Sequence, residues 1–281
     1  MKKPERFLEL RVHKPSSAPG CTGLCAGYER GEWRAEQLAE HAMDWLPEFA
    51  LSVAECERMN HANAGRFMRR AAKAVYESKK FEKRGEFGEL FLHIAIREAF
   101  DSIPAISKIY YKTSNNDTVK GFDAVHVVGS LDDLELWIGE AKFYEDIKKA
   151  IYEVVREINE HVQTNYLRSE FMLISNKIDD SWQHASGLKK LLDPNTSLDE
   201  VFKRACIPVL LTYDSAAIAT HNVCNAEYEA AFKDEIMAHW KAFSRDGLPT
   251  DVRIHLFLLP LKSKKELITF LDERLKSWQG I

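Results

Sequence analysis

No stretch of this 281-residue chain approaches the roughly eighteen consecutive apolar residues that a membrane-spanning helix needs. Its first residues, MKKPERFLELRVHK, are basic but carry no apolar core of signal-peptide length, so no leader is expected. Cysteine is sparse. The five residues (Cys21, Cys25, Cys56, Cys206 and Cys224) are odd in number and scattered, which excludes a disulfide scaffold and points to a reducing cytoplasm. His13, Cys21 and Cys25 are too poorly spaced for a zinc site and lack a fourth ligand. An excess of positive charge is missing too. A formal net charge of -4 is unusual for a chain that holds nucleic acid unaided, because Lys and Arg dominate phosphate binding. Positive charge must then be concentrated locally, or a metal and a partner must supply it. There is neither an internal repeat nor a low-complexity segment.

What is present is the composition of a globular protein, 45% apolar and 29% charged, long enough to bury a sizeable core. A strand is expected from Phe7 to Val12, followed by an irregular loop over PSSAPGCTG. The pattern is helical from Arg34 to about Val53, with Pro47 expected to break it. A second helix, about Ala62 to Lys80, carries Arg66, Arg69, Arg70 and Lys73 at i, i+3, i+4 and i+7, which places four cations on one face. Such a face contacts phosphates, or is simply solvated, or meets an acidic partner. The stretch from Arg66 to Arg84 holds eight Lys or Arg against two Glu, so the positive charge is indeed local.

RGEFGELFLHIAIREAF, Arg84 to Phe100, is apolar around most of its circumference and reads as a helix buried on a sheet. Glu86, Glu89 and His93 fall within about 60° of one another at ~100° per residue. Glu86 suits the helix dipole at the first turn; Glu89 fits that explanation less well. SKIYYKT, Ser107 to Thr113, reads as a strand, and Lys112 and Lys120 add charge before Gly121.

The most informative stretch is GFDAVHVVGSLDDLELWIGEAKFY, Gly121 to Tyr144, two alternating strands around a turn. Leu134, Leu136, Ile138, Glu140 and Lys142 share one side of the second strand, as Asp123, Val125 and Val127 do in the first. In a hairpin, Asp123 then lies close to Glu140. Two converging carboxylates need a cation, and oxygen-only ligation suits Mg²⁺ or Mn²⁺. Lys142, beside that metal, would position a water or neutralise an oxyanion. The competing reading is an exposed hairpin with ordinary surface charges. Against it, Glu140 and Lys142 follow apolar residues on the same side, where unpaired charge is costly.

Beyond the hairpin, an amphipathic helix is expected from about Glu145 to Val162, with Lys148 and Lys149 opening its polar side. Strands are expected over Phe171 to Ser175, Pro208 to Tyr213 and Val252 to Leu259, the last stopped by Pro260. Helices are expected over Ala226 to Phe243 and Ser263 to Trp278, where Ser263 and Glu266 have capping-box spacing.

The Asp…Glu-x-Lys arrangement resembles the PD-(D/E)XK nuclease superfamily. RGEFGELFLH, GFDAVHV, ELWIGEAKFY and the helix ending in Asn159, Glu160 and His161 together resemble the HamA family, the small subunit of Hachiman anti-phage defence. The resemblance implies an α/β fold, a mixed β-sheet flanked by helices of the PD-(D/E)XK type, with a helical N-terminal extension (1–83) before the nuclease-like domain (84–281). It implies Mg²⁺- or Mn²⁺-dependent cleavage of DNA in a prokaryotic cytoplasm, with Asp123, Glu140 and Lys142 as the catalytic set. Glu89, with Glu86 as second choice, would join Asp123 and Glu140 at the metal. It also implies a heterodimer with a superfamily-2 helicase, HamB, that restrains the nuclease. Arg66, Arg69, Arg70, Lys73, Lys120 and Lys148 are the candidate nucleic-acid contacts. An inactive nuclease-fold binding subunit and an RNA-cleaving toxin of the same fold remain alternatives.

Overall fold

ACIPVLLTYD and RIHLFLLPL are almost unbroken apolar runs, the pattern of parallel strands covered on both faces. In a computed structural model, which describes residues 3–75, 85–107, 121–130, 133–245 and 247–280, both lie at the centre of a seven-stranded mixed sheet. In chain order, the described strands are β1 (Glu9–Lys14), β2 (Gly20–Cys25), β3 (Tyr28–Glu29), β4 (Glu32–Trp33), β5 (Ile103–Ser107), β6 (Ala124–Gly129), β7 (Leu134–Phe143), β8 (Ala205–Asp214) and β9 (Arg253–Leu261). The described helices are α1 (Ala35–Ala50), α2 (Val53–Glu57), α3 (Ala64–Val75), α4 (Glu86–Phe100), α5 (Ile147–His161), α6 (Thr164–Lys177), α7 (Ala185–Leu191), α8 (Leu198–Lys203), α9 (Ala216–Thr220), α10 (Ala226–Arg245) and α11 (Lys264–Gln279).

The sheet order is β1-β2-β9-β8-β7-β6-β5, with β3 and β4 pairing separately. Pairings from β2 through β9 and β8 to β7 are parallel, while β1, β6 and β5 join antiparallel. Helices cover both faces, the α/β sandwich that the element order implies. On one face α4 packs against β6, β7 and β8, and α1 packs on α4; α3 packs in turn on α1 and α11. On the other, α5 lies against β7 and β8, with α10 beside it over β1 and β2.

Four expectations are corrected. The PSSAPGCTG loop ends in β2, a buried strand beside β9, so the N-terminal segment supplies two strands of the main sheet as well as helices. Its small residues look loop-like in sequence but serve close packing: a Cβ on Gly23 would sit 3.1 Å from Ile236 and 3.2 Å from Phe232 of α10. Phe171 to Ser175 is not a strand but part of α6, because Leu167, Phe171 and Ile174 are the buried positions, a helical spacing. Pro260 does not stop β9, which continues to Leu261. The pairing with β2 ends at Leu258, so the missing N–H of Pro260 costs no bond on that side. Pro47 likewise lies inside α1, near its end, and Leu51 N–H still donates to the Pro47 carbonyl.

The β6–β7 hairpin is set by Gly129, whose φ of 100° is open to glycine. A Cβ there would stand 2.2 Å from the backbone oxygen of Asp133, which cannot swing away. Gly129→Ala is therefore expected to destabilise the protein by about 1–3 kcal/mol, read as a lower midpoint in urea unfolding. A midpoint equal to wild type would show that the turn does not hold the hairpin in register.

Candidate active site

Hairpin register decides which side chains meet. Ala124 pairs with Gly139 and Val125 with Ile138. Just before this ladder, Asp123 N–H donates to the Gly139 carbonyl at 2.7 Å, which brings Asp123 within charge contact of Glu140. Asp123 Oδ2 accepts from Ala141 N–H at 2.9 Å, so one oxygen of this acid is held by the opposite strand. Both acids are buried, Glu140 to 2% exposure.

The two faces of β7 have different neighbours. Gly139, Ala141 and Phe143 face α4. A Cβ on Gly139 would meet Leu92, one on Gly88 would come within 3.1 Å of Phe143 Cβ, and Phe91 and Phe143 are in ring contact. Glu140 and Lys142 face α5. His161 Nδ1 donates to Glu140 Oε1 at 2.5 Å, since a carboxylate only accepts, and Lys142 Nζ pairs with Glu157. Just past the strand, the Tyr144 hydroxyl donates to Glu153 at 2.5 Å. These pairs make a ladder. Positions 140, 142 and 144 advance about 6.6 Å per step and positions 161, 157 and 153 about 6 Å per step, so the rungs stay in register.

Burial, and after it the Asp123 carboxylate, push the Glu140 carboxyl up to about 7 against the opposing pulls of His161 and Lys142. Burial draws the His161 imidazole down, but its hydrogen bond and charge contact with Glu140, with help from Glu157 and Asp123, hold it above its ordinary value. The His161 ring is fixed by Tyr166, stacked at 4.2 Å and 10°, and by Phe122, edge-on at 5.2 Å.

The structure brings Asp123, Glu140 and Lys142 together. Glu89 is half-buried in the first turn of α4, next to the Gly88 that packs on the opposite face of β7. Among the described residues no three His, Cys, Asp or Glu side chains are assembled to hold a metal, so neither Glu89 nor Glu86 completes a set with the two acids, and His13, Cys21 and Cys25 form none. Two acids still fit a divalent cation. Mg²⁺ is commonly held by one or two carboxylates, with water and substrate phosphate completing the shell. A buried acid whose carboxyl is pushed up, first by burial and then by the neighbouring Asp123, is the electrostatic condition that a cation relieves.

The basic face forms as expected in part: Arg66, Arg69, Arg70 and Lys73 are all exposed on α3, while residues 76–84 lie outside the described residues. Arg70 pairs with Glu55 at 2.6 Å. The face belongs to the layers on the α4 side of the sheet, whereas Glu140 and Lys142 face α5. Lys148 is exposed at the start of α5, about 20 Å along the helix from His161 at 1.5 Å per residue. Lys112 and Lys120 lie outside the described residues. His93 is a core residue, ringed by Trp45, Phe49 and His126. A cavity of about 590 Å³ lined by Glu48, Arg97, Ile103 and Trp182 includes none of the three site residues.

Residue patterns in the hairpin did not identify Glu157 and His161 as partners. The available signal was their i, i+4 spacing with Glu153, matched to alternate residues of the preceding strand. Among the described residues no helix is long and apolar enough to cross a membrane. Comparison with curated proteins gives no match. The HamA family model matches residues 4–275, and the chain accordingly belongs to the HamA family, whose place is in Hachiman defence.

Proposed function

We propose that this chain is the nuclease subunit of a Hachiman defence complex, hydrolysing DNA phosphodiesters with Mg²⁺ or Mn²⁺ and working with the helicase HamB in a cytoplasm. The observation that carries the reading is the convergence of Asp123 and Glu140 across the hairpin, with Lys142 on the same face of β7. Asp123 and Glu140 would hold the ion. When bound, such an ion lowers the pKa of water and screens the phosphate charge. Lys142 would orient the attacking water or take up charge building on the non-bridging oxygens. For that its ammonium must exchange Glu157 for the substrate phosphate, a substitution of one anion for another.

The test is incubation of the purified chain, with and without the helicase, on plasmid DNA and on structured RNA, in Mg²⁺ and in EDTA. Metal-dependent loss of plasmid that Glu140→Ala abolishes supports the reading. Cleavage of RNA alone would move the substrate class. No cleavage under any condition by a folded wild type would return the chain to the inactive binding-subunit alternative.

The exposed basic face supplies the local positive charge that a net charge of -4 lacks overall. Reversing Arg66 and Arg69 together is expected to weaken DNA binding and to reduce the salt slope by about two if both contact phosphates. An unchanged slope measured by fluorescence anisotropy would make the face a solvated one. Loss of helicase binding instead would make it a partner surface.

A further inference from the structure

We propose that α5 is the positioning element of the reaction: His161 orients Glu140 toward the cation, and Glu157 sets the reach of Lys142. This rests on the metal-dependent reading above and goes past it by naming two residues outside the Asp…Glu-x-Lys pattern.

Three observations carry the inference. First, the ladder is specific to the polar positions of β7. α5 already has an apolar stripe on the sheet, formed by Ala150, Ile151, Val154, Val155 and Ile158. Stability alone is better served by extending that stripe, since a buried ion pair contributes little over apolar residues of similar size. Yet the two site residues of the strand each meet a polar partner one helical turn apart. Second, His161 is not free to turn. Tyr166 lies flat against it and Phe122 meets it edge-on, so its Nδ1–H is aimed and kept at Glu140 Oε1. Phe122 directly precedes Asp123, so a ring that holds the Glu140 partner His161 belongs to the segment bearing the other acid. Third, Glu140 is held through one oxygen by His161, while Asp123 is anchored by Ala141 N–H of the opposite strand. A carboxylate oriented through one oxygen presents the other in a defined direction, the usual arrangement around a metal ligand.

The experiment separates this from simple packing by two opposite variants. His161→Phe keeps a ring between Phe122 and Tyr166 and loses the donor. His161→Asn loses the ring and keeps an N–H near the Nδ1 position. Mn²⁺ is titrated into the full chain without DNA, its binding followed by electron paramagnetic resonance, and each variant is checked by thermal melt. His161→Phe is expected to bind Mn²⁺ about 10–100-fold more weakly, and His161→Asn to stay within a few-fold of wild type. Wild-type affinity in His161→Phe overturns the proposal, as does equal loss in both variants.

The second arm measures cleavage. Glu157→Ala is expected to lower kcat by about 10-fold or more with KM and Mn²⁺ affinity little changed, and Glu157→Gln to recover part of the loss. A faster Glu157→Ala enzyme would make the pair an inhibitory clamp and overturn the assignment of Glu157. Absence of any Mn²⁺ binding by folded wild type would instead remove the metal-dependent reading itself, and this inference with it.

Discussion

Lys142→Ala is expected to slow metal-dependent cleavage by about 10²-fold or more while leaving metal binding and folding largely intact. The ammonium is the one cation on the acid-bearing face of β7 beside Asp123 and Glu140 among the described residues of that strand, and its partner Glu157 is on a separate helix. Removing it leaves the oxygen donors in place, so the loss falls on the transition state and appears in kcat. Glu140→Ala should behave differently. It removes a donor and leaves the His161 proton unpartnered, so cleavage and Mn²⁺ binding fall together. The measurement is plasmid degradation in Mg²⁺ and in EDTA for wild type and both variants, each with a melting curve. Full activity in a folded Lys142→Ala protein would sink the site assignment and leave the family assignment standing.

The largest stability effect is expected elsewhere, at Glu48 and Arg97. Arg97 reaches Glu48 through two bonds, Nε to Oε1 at 2.6 Å and Nη2 to Oε2 at 3.1 Å, and also donates to the Ser102 carbonyl. The pair joins α1 to α4 beneath Trp45, with little of either side chain exposed. Glu48→Ala would strand a buried guanidinium. It should cost about 3–5 kcal/mol, the scale of breaking a buried ion pair by deleting one partner, whereas replacing both by apolar residues should cost far less. Urea unfolding of the single and double variants checks this, and a single-variant loss under about 1 kcal/mol would contradict it.

The same pair sets an acid limit. Burial pushes the Glu48 carboxyl up, but contacts with His93 and Arg97 more than offset this and bring it from 4.5 down to about 2. Burial holds His93 below the ordinary imidazole value, so Arg97 is the charge that counts near neutrality. A carboxyl lowered on folding stabilises the folded state above its unfolded value, near 4.5. That contribution, on the order of 3 kcal/mol, fades as pH falls from there toward about 2. Stability measured from pH 6 to pH 3 should fall less in Glu48→Gln than in wild type.

Local periodicity determined a good deal of this protein. Alternation alone put Leu136, Ile138, Glu140 and Lys142 on one side of β7, because side-chain direction in a strand depends only on position parity. It likewise placed Arg66, Arg69, Arg70 and Lys73 on one exposed face of α3, and the amphipathic pattern after Lys142 located α5 to within two residues at its start. What no local pattern holds is which distant surface an element meets. β2 reads as a loop until β9 pairs with it, and Thr22 then bonds His255 across 233 positions of chain. The run at Phe171 is apolar enough for a strand, and its helical spacing shows only once burial selects Leu167, Phe171 and Ile174 over the exposed Met172 and Leu173. Glu89 shares a helical face with Glu86 in any wheel, yet only the packing of Gly88 on Ala141 and Phe143 shows which face of β7 α4 covers. The partners of the site are tertiary in the same sense. His161 and Glu157 are two polar residues on an amphipathic helix until the sheet fixes their depth, because an ion pair is specified by where two backbones converge and not by either sequence alone.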